Sequence, residues 1–520
     1  MRKLVSMWVI ATACGGEHGS TGADAARDAT PPDADNVVVG TDVTIDSGPL
    51  HGMASGDLVE FFGVPYATAA RWMAPAPPAA WTAPRDATAF GPACPQAGST
   101  LPQSEACLLL NVWAHASGPH RPVLVWIHGG GYIQGSAQES QYDAAALADA
   151  ADAVVVSIDY RLGVLGFLAL PQLAAPDGGI GNYGIRDQIA ALEWVKRNIA
   201  TFGGDPSRVM IVGESAGGAA VCTLAAAPGA QGLFAAAAIE SGPCQMTLEL
   251  TTMVGSFPSA EGYGAVAIAV PLGCTSGDIA TCLRGKTVDQ ILALDLPQYW
   301  DLGLPVYATL PVVDGVVLDQ RPLAALATRG QVPLIVGSNL TDASVFIYAI
   351  GVADTAGAFD AYLAQVGQSA NQAALDALYP VATLGERDAA IEYATDVAFA
   401  CGAAWQIVQA RTAPTYLYEL ERAVPNGPEM MYGSVHGYDF VNLFGTFSTW
   451  GITPGAADLA TSADVQAQWA AIAHGDVPST WPAATGATPR FRQLDDPPAT
   501  GTTWRGGRCP QLAALGVLGH

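Results

Sequence analysis

The chain has 520 residues, half of them hydrophobic, and only 13% carry a formal charge. Asp and Glu outnumber Lys and Arg by 47 to 22, for a net charge of -25, which excludes the basic surface that nucleic-acid binding needs. Length alone suggests about three domains, but α/β folds often run longer as one unit, and acidity of this kind speaks to solubility rather than to fold.

In chain order, Arg2 and Lys3 precede a short apolar run, Leu4 to Ala13 (LVSMWVIATA). It is too short to span a bilayer, which takes about 20 residues. It fits the hydrophobic part of an export signal over residues 1–14; the plain alternative is a chance apolar start on a cytoplasmic protein. Cys14 follows Ala11-Thr12-Ala13, a sequence that resembles a bacterial lipobox except that Ala11 stands where leucine is usual. Cys14 is therefore a candidate membrane tether, and a secreted, periplasmic or lipid-anchored protein is expected. Residues 15–36 are small, polar and proline-containing, and read as a disordered linker. One folded domain is expected over 37–520, with no further stretch apolar and long enough for a membrane span.

Within it, Pro122 to Ile127 (PVLVWI) and Ala153 to Asp159 (AVVVSID) read as buried strands. Ile185 to Ile199 places Ile185, Ile189, Leu192 and Val195 at helical spacing. Arg208 to Val212 (RVMIV) is strand again, Ala216 to Ala227 is helical, and Leu334 to Val336 and Tyr416 to Leu420 are later strands. This alternation predicts an α/β fold with a mostly parallel sheet covered on both faces. In such sheets, function sits beyond the carboxyl ends of the strands.

Two of those loops carry chemistry. After RVMIV comes GESAGG, Gly213 to Gly218. Small residues around Ser215 suit a turn too tight for ordinary side chains, one that presents a serine hydroxyl as a nucleophile and the Ala216 N–H to an oxyanion. Alone the pattern is weak, since small residues crowd many turns. After PVLVWI comes His128-Gly129-Gly130-Gly131. Three glycines in a row cost conformational entropy, which makes sense where backbone amides must approach a substrate closely. Gly130 and Gly131 are the candidate oxyanion donors. A serine also needs a base and an orienting carboxylate. Of the eight histidines, His436 and His474 are the downstream candidates, His520 lying at the end of the folded part, and His436, in GSVHGYDFVNLFG, is favoured. Nine cysteines form no CxxC pair, so neither a zinc site nor a dithiol motif is expected, and in an exported chain disulfides are the natural reading.

FFGVPYA (61–67), FGPACPQ (90–96), SEACLLLNVW (104–113), PVLVWIHGGGYIQGS (122–136), DYRLGVLGFL (159–168), GNYGIRDQIAALEWVKRNIATFGGDP (181–206), VGESAGG (212–218) and VHGYDFVNLFG (435–445) together resemble the type-B carboxylesterases, the α/β-hydrolases that include cholinesterases and bacterial para-nitrobenzyl esterases. The resemblance covers nearly everything from Val37 onward. It implies that Ser215 is the nucleophile, His436 the general base, and Gly130, Gly131 and Ala216 the oxyanion hole. The triad acid falls in GSNLTDASVF (337–346), where Asp342 stands in place of the family's usual glutamate. Being one methylene shorter, it must sit closer to the histidine. Asp314, in PVVDG, is the fallback and reads better as a turn residue. Glu214 corresponds to the residue before the family's nucleophile and would favour an imidazolium. Ser241, in IESG, resembles a serine that hydrogen-bonds near the triad, although a plain sheet-end serine reads equally well.

By the same resemblance Cys94 pairs with Cys107, Cys274 with Cys282 and Cys401 with Cys509, which leaves Cys222 and Cys244 as free buried thiols. The loop over Pro95 to Ala106 carries no aromatic residue, so choline-ester preference has no support. The segment after GVPYA is shorter than the family's usual form, and Tyr307 and Met246 fall near acyl-pocket positions. The expected activity is hydrolysis of small-molecule carboxylic esters with no cofactor or metal. The rivals are hydrolysis of amides, carbamates or lactones at the same site, and a non-catalytic binding role on the same fold.

Overall fold

A computed structural model of the protein describes residues 37–253, 258–301, 303–426, 431 and 433–518. The export-signal segment, Cys14 and the linker over 15–36 lie outside the described residues. Among the described residues no helix is long and apolar enough to cross a membrane.

The chain is organised around one eleven-stranded sheet. Its strands are β1 (Met53–Ser55), β2 (Leu58–Pro65), β3 (Leu109–His115), β4 (Arg121–Ile127), β5 (Val154–Ile158), β6 (Gly204–Glu214), β7 (Ala236–Glu240), β8 (Leu334–Asn339), β9 (Thr415–Leu420), β10 (Phe491–Leu494) and β11 (Ala499–Gly501). Across the sheet they run β11-β10-β9-β8-β7-β6-β4-β5-β3-β2-β1. The stretch from β10 to β5 is parallel throughout. Antiparallel strands finish both margins, β3, β2 and β1 on one side and β11 on the other.

Why the central strands are apolar on both sides follows from their alternation. Val123, Val125 and Ile127 of β4 join the core on one face of the sheet, while Leu124 and Trp126 join the core on the other. β6 repeats this with Val209 and Ile211 against Met210 and Val212. Successive side chains in a strand point to opposite faces, so a strand covered on both sides must be continuously apolar. Helices α1 (Ala145–Ala151), α2 (Tyr183–Asn198) and α3 (Ala216–Ala226) follow β4, β5 and β6 in the chain. Ile185, Leu192 and Val195 of α2 and Ala219, Ala220 and Leu224 of α3 belong to the first core. Leu147 of α1 belongs to the second, with Val441 and Phe444 of α4 (Tyr438–Phe444) and Val465 and Trp469 of α5 (Ala456–His474). Each strand and helix expected in this region is present, with ends shifted by a few residues. The largest shift is the RVMIV strand, which grows into β6 in both directions.

The three disulfides implied by resemblance are formed. The expectation of free thiols at Cys222 and Cys244 is corrected, because these two cysteines are also bonded to each other. The reason is close packing of α3 against the segment that follows β7. A Cβ on Gly218 would lie 2.8 Å from the Cα of Gly242. That contact brings the Cα atoms of Cys222 and Cys244 to 5.7 Å, inside the range a disulfide spans.

Candidate active site

Ser215 joins the end of β6 to the start of α3 with φ 59° and ψ −124°. A non-glycine residue held there stores strain of order 1–3 kcal/mol. Two backbone hydrogen bonds hold it: the Ser215 N–H donates to the Glu240 carbonyl and the Ser215 carbonyl accepts from the Ala219 N–H, both at 2.9 Å. The neighbours must be small, since a side chain on Gly213 or Gly217 would run into the Ile127 carbonyl oxygen. This is the physical content of the GESAGG pattern. Ala216 opens the helix, where a backbone N–H has no intrahelical partner.

The glycine loop lies directly over this turn. A Cβ on Gly129 would come within 2.8 Å of the Glu214 carbonyl oxygen and 3.1 Å of the Ser215 Cβ. Gly130 and Gly131 take φ of 103° and 63°, a region that favours glycine. His128 anchors the loop from below and stays out of the cavity. Its ring is buried and stacks on Tyr160, whose hydroxyl donates to the His128 carbonyl at 2.9 Å. Burial pulls its pKa down to about 4, so the ring is neutral at pH 7.

His436 precedes α4. Its Nδ1 lies 2.6 Å from Asp342 Oδ1, and the other Asp342 oxygen accepts the Asn339 N–H at 2.9 Å. The shorter aspartate reaches because its loop is tied to the histidine's loop. The Thr341 N–H donates to the Ser434 carbonyl at 3.0 Å, and the Asn339 side-chain amide donates to the Val435 carbonyl at 2.8 Å. The other ring nitrogen, Nε2, faces Glu214 Oε1 at 3.3 Å. Burial of the imidazole favours its neutral form, but the carboxylates of Glu214, Asp342 and Asp439 outweigh it and push the pKa up to about 9. Burial pushes Glu214 up to about 8 against the pull of His436.

Ser215, Glu214, His436, Gly130 and Gly131 line one cavity of about 400 Å³, closed on its sides by aromatic rings. Phe346 and Phe399 pack on the imidazole, each with ring centroids 5.0 Å away. Met246 and Tyr307 are also in the wall. Asp314 lies elsewhere. Its carboxylate accepts the backbone N–H groups of Ile180, Val316, Val317 and Leu318, which is the turn-forming role. His474 caps another helix, with Nε2 at 3.0 Å from the Ala151 carbonyl oxygen.

Two residues escaped the sequence reading. Asp439, three positions after His436, is fully buried behind it and accepts from the Ser241 hydroxyl at 2.6 Å, the Tyr418 hydroxyl at 2.8 Å and the Phe440 N–H at 3.1 Å. Ser241 thus reaches the histidine's surroundings through Asp439. The available signal was an acidic residue one helical turn beyond a favoured base, in HGYD. Glu240 was missed as well. It is buried with its pKa raised well above the ordinary value, first by burial and then by Asp439 and Glu214.

A mostly parallel sheet with a serine on a strained strand-to-helix turn, a histidine–carboxylate pair on later loops and a glycine loop overhead defines an α/β-hydrolase. Residues 39–510 match the model of the Carboxylesterase family, and the chain belongs to that family. It is 31% identical over 476 residues to the para-nitrobenzyl esterase of Bacillus subtilis (strain 168), covering 85% of this chain and 92% of that protein. It is 31% identical over 477 residues to the fumonisin B1 esterase of Sphingopyxis macrogoltabida, covering 84% and 83%. Against the cocaine esterase of Oryctolagus cuniculus the identity is 40% over 306 residues, 54% of this chain and 53% of that protein. The chain thus spans about half the length of the mammalian cocaine esterases it matches.

Proposed function

We propose that the protein hydrolyses carboxylic esters through an acyl-enzyme on Ser215. The observation that carries this reading is that Ser215 and His436 line one cavity with the glycine loop, while Asp342 sits behind the ring at 2.6 Å from Nδ1. His436 Nε2 accepts the Ser215 hydroxyl proton as the oxygen attacks the ester carbonyl. Asp342 accepts the Nδ1–H hydrogen bond and so fixes the tautomer and balances the imidazolium charge. The N–H groups of Gly130, Gly131 and Ala216 stabilise the oxyanion, each donor being worth about 2.7–4 kcal/mol in sites of this type. His436 returns the proton to the departing alcohol. Water then attacks the acyl-enzyme with His436 again as base, and the carboxylic acid leaves. Glu214, facing Nε2, adds to imidazolium stabilisation. Family membership and the ester-hydrolase names of the relatives support the same reaction class.

The test is hydrolysis of para-nitrophenyl acetate, butyrate and octanoate by the protein beside Ser215→Ala. Turnover is expected in the parent and a loss on the order of 10⁶ in kcat in the variant. Equal rates in the two proteins would exclude the serine mechanism.

A further inference from the structure

The glycine loop is gripped by a side chain that the proposed mechanism does not use. Gln96 is buried in the segment closed by the Cys94–Cys107 disulfide. Its Oε1 accepts the Gly135 N–H at 2.9 Å, and its Nε2 donates to the Gly135 carbonyl at 2.8 Å. One amide thus pairs both backbone groups of a single residue, as a neighbouring strand would. Gly135 in turn lies against the start of the loop. A Cβ there would fall 2.5 Å from His128 Nδ1 and 2.6 Å from the Gly129 carbonyl oxygen. Between these ends, the Gly130 carbonyl accepts the N–H groups of Ile133 and Gln134, each at 3.1 Å. Residues 128–135 therefore form one closed turn, and Gln96 holds its far end.

We propose that Gln96 is a positioning residue for the oxyanion hole: through Gly135 it fixes the aim of the Gly130 and Gly131 N–H groups. This deepens the ester-hydrolase reading and rests on it. Glycines have more backbone freedom to lose than any other residue, whereas oxyanion donors act at about 2.7–3.1 Å from the developing charge. A loop of three glycines therefore needs restraint from outside. Gln96 is itself restrained. Its N–H donates to Gln103 Oε1 at 2.7 Å, and its Nε2 also donates to the Cys94 carbonyl at 3.2 Å. The disulfide ties Cys94 to Cys107, just before β3, so the grip runs to the central sheet. Beyond Gly135 the chain has its own anchor, since Asp159 accepts the Ser136 hydroxyl and the Ala137 N–H, both at 2.9 Å. The share left to Gln96 is the glycine turn.

Two variants test this. Gln96→Met keeps the length and bulk without either bond. Gln96→Glu keeps an acceptor for the Gly135 N–H but sets an oxygen against the Gly135 carbonyl. With para-nitrophenyl butyrate, kcat should fall by about 10²-fold in each, the loss expected of a misplacement of about 1 Å. KM should stay near the parent value, because the interaction is made only in the transition state. A trifluoromethyl ketone bearing a hexyl chain adds Ser215 to its carbonyl and leaves an oxyanion in the hole. It should bind about 10²-fold more weakly to the variants, while the matching trifluoromethyl alcohol, which forms no adduct, should change by less than about twofold. A parent-like kcat in Gln96→Met, or equal weakening of ketone and alcohol, would overturn the positioning role and leave the esterase reading intact. If neither variant folds, hydrogen exchange in the parent decides: the Gly135 N–H should exchange slowly for a loop amide, and exchange at the rate of a free amide would overturn the grip. Absence of any Ser215-dependent ester turnover in the parent would remove the esterase reading, and this proposal with it.

Discussion

Buried charge is handled in two ways in this molecule. Around Arg505, every carboxylate has a guanidinium partner. The Arg505 guanidinium donates to Asp396 and, at 2.9 Å, to Glu419. Arg508 adds bonds of 2.7 Å to Asp396 and to Glu392, and the Tyr379 hydroxyl donates to Asp396 at 2.8 Å. Around His436 the acids have no such match. Glu214, Asp342 and Asp439 all act on a single imidazole, and Glu240 lies behind them. The first cluster ties the β9 strand and the helix over 386–410 to the C-terminal segment. In the second, burial first and then the neighbouring carboxyls push Glu214 up to about 8, and Glu214, Asp342 and Asp439 outweigh burial to push His436 up to about 9. Carboxyl groups crowded around one imidazole in a cavity make a candidate site for moving protons, whereas the Arg505 cluster lies outside that cavity and serves to hold segments together.

The comparison is sharpened most by Asp342→Asn. An asparagine amide in place of the carboxylate oxygen facing Nδ1 favours the wrong tautomer, and kcat should fall by about 10⁴. The counterpart in the scaffold is Arg505→Met. It leaves Asp396 and Glu419 buried without their main partner, a change that typically costs 3–5 kcal/mol. The expected result is a lower unfolding midpoint in urea with the pH profile of the folded enzyme unaltered. If Arg505→Met moved the pH profile while Asp342→Asn left kcat near the parent value, the assignment of scaffold and site would have to be exchanged.

Much of the candidate site in this contrast was legible in the sequence because its constraints are local. The crowding of Gly213 and Gly217 against the Ile127 carbonyl forces small residues on both sides of Ser215, and small residues flanking a serine after an apolar run can be read directly. The bipolar cores of β4 and β6 force continuous apolar runs, which are equally visible. What could not be read was set by tertiary approach. Cys222 and Cys244 are bonded only because two glycines let α3 lie against the segment after β7. Asp439 matters because Ser241 and Tyr418 reach it from other strands, β7's end and β9. The marginal strands β1 and β11 have too few residues to carry a pattern.

The smallest expected effect tests the electrostatics of the site most directly. In the proposed mechanism His436 is unprotonated when it accepts the serine proton, so with its pKa near 9 the parent kcat/KM should rise through about pH 9. Glu214, at about 8, ionises before His436 deprotonates, so its charge is in place across that rise. Glu214→Gln removes a carboxylate 3.3 Å from Nε2 and should bring the rise down by about one unit or more. The same change weakens the stabilisation of the imidazolium in the transition state by the same free energy, about 1.4 kcal/mol per unit. Below about pH 8 Glu214 carries its own proton, so the glutamine there replaces a neutral carboxyl and neither effect operates. The two profiles should therefore coincide near pH 7 and separate above pH 9, with the variant's plateau about tenfold lower. A rise left at pH 9 in Glu214→Gln would mean that Asp342 and Asp439 alone hold the imidazole's proton.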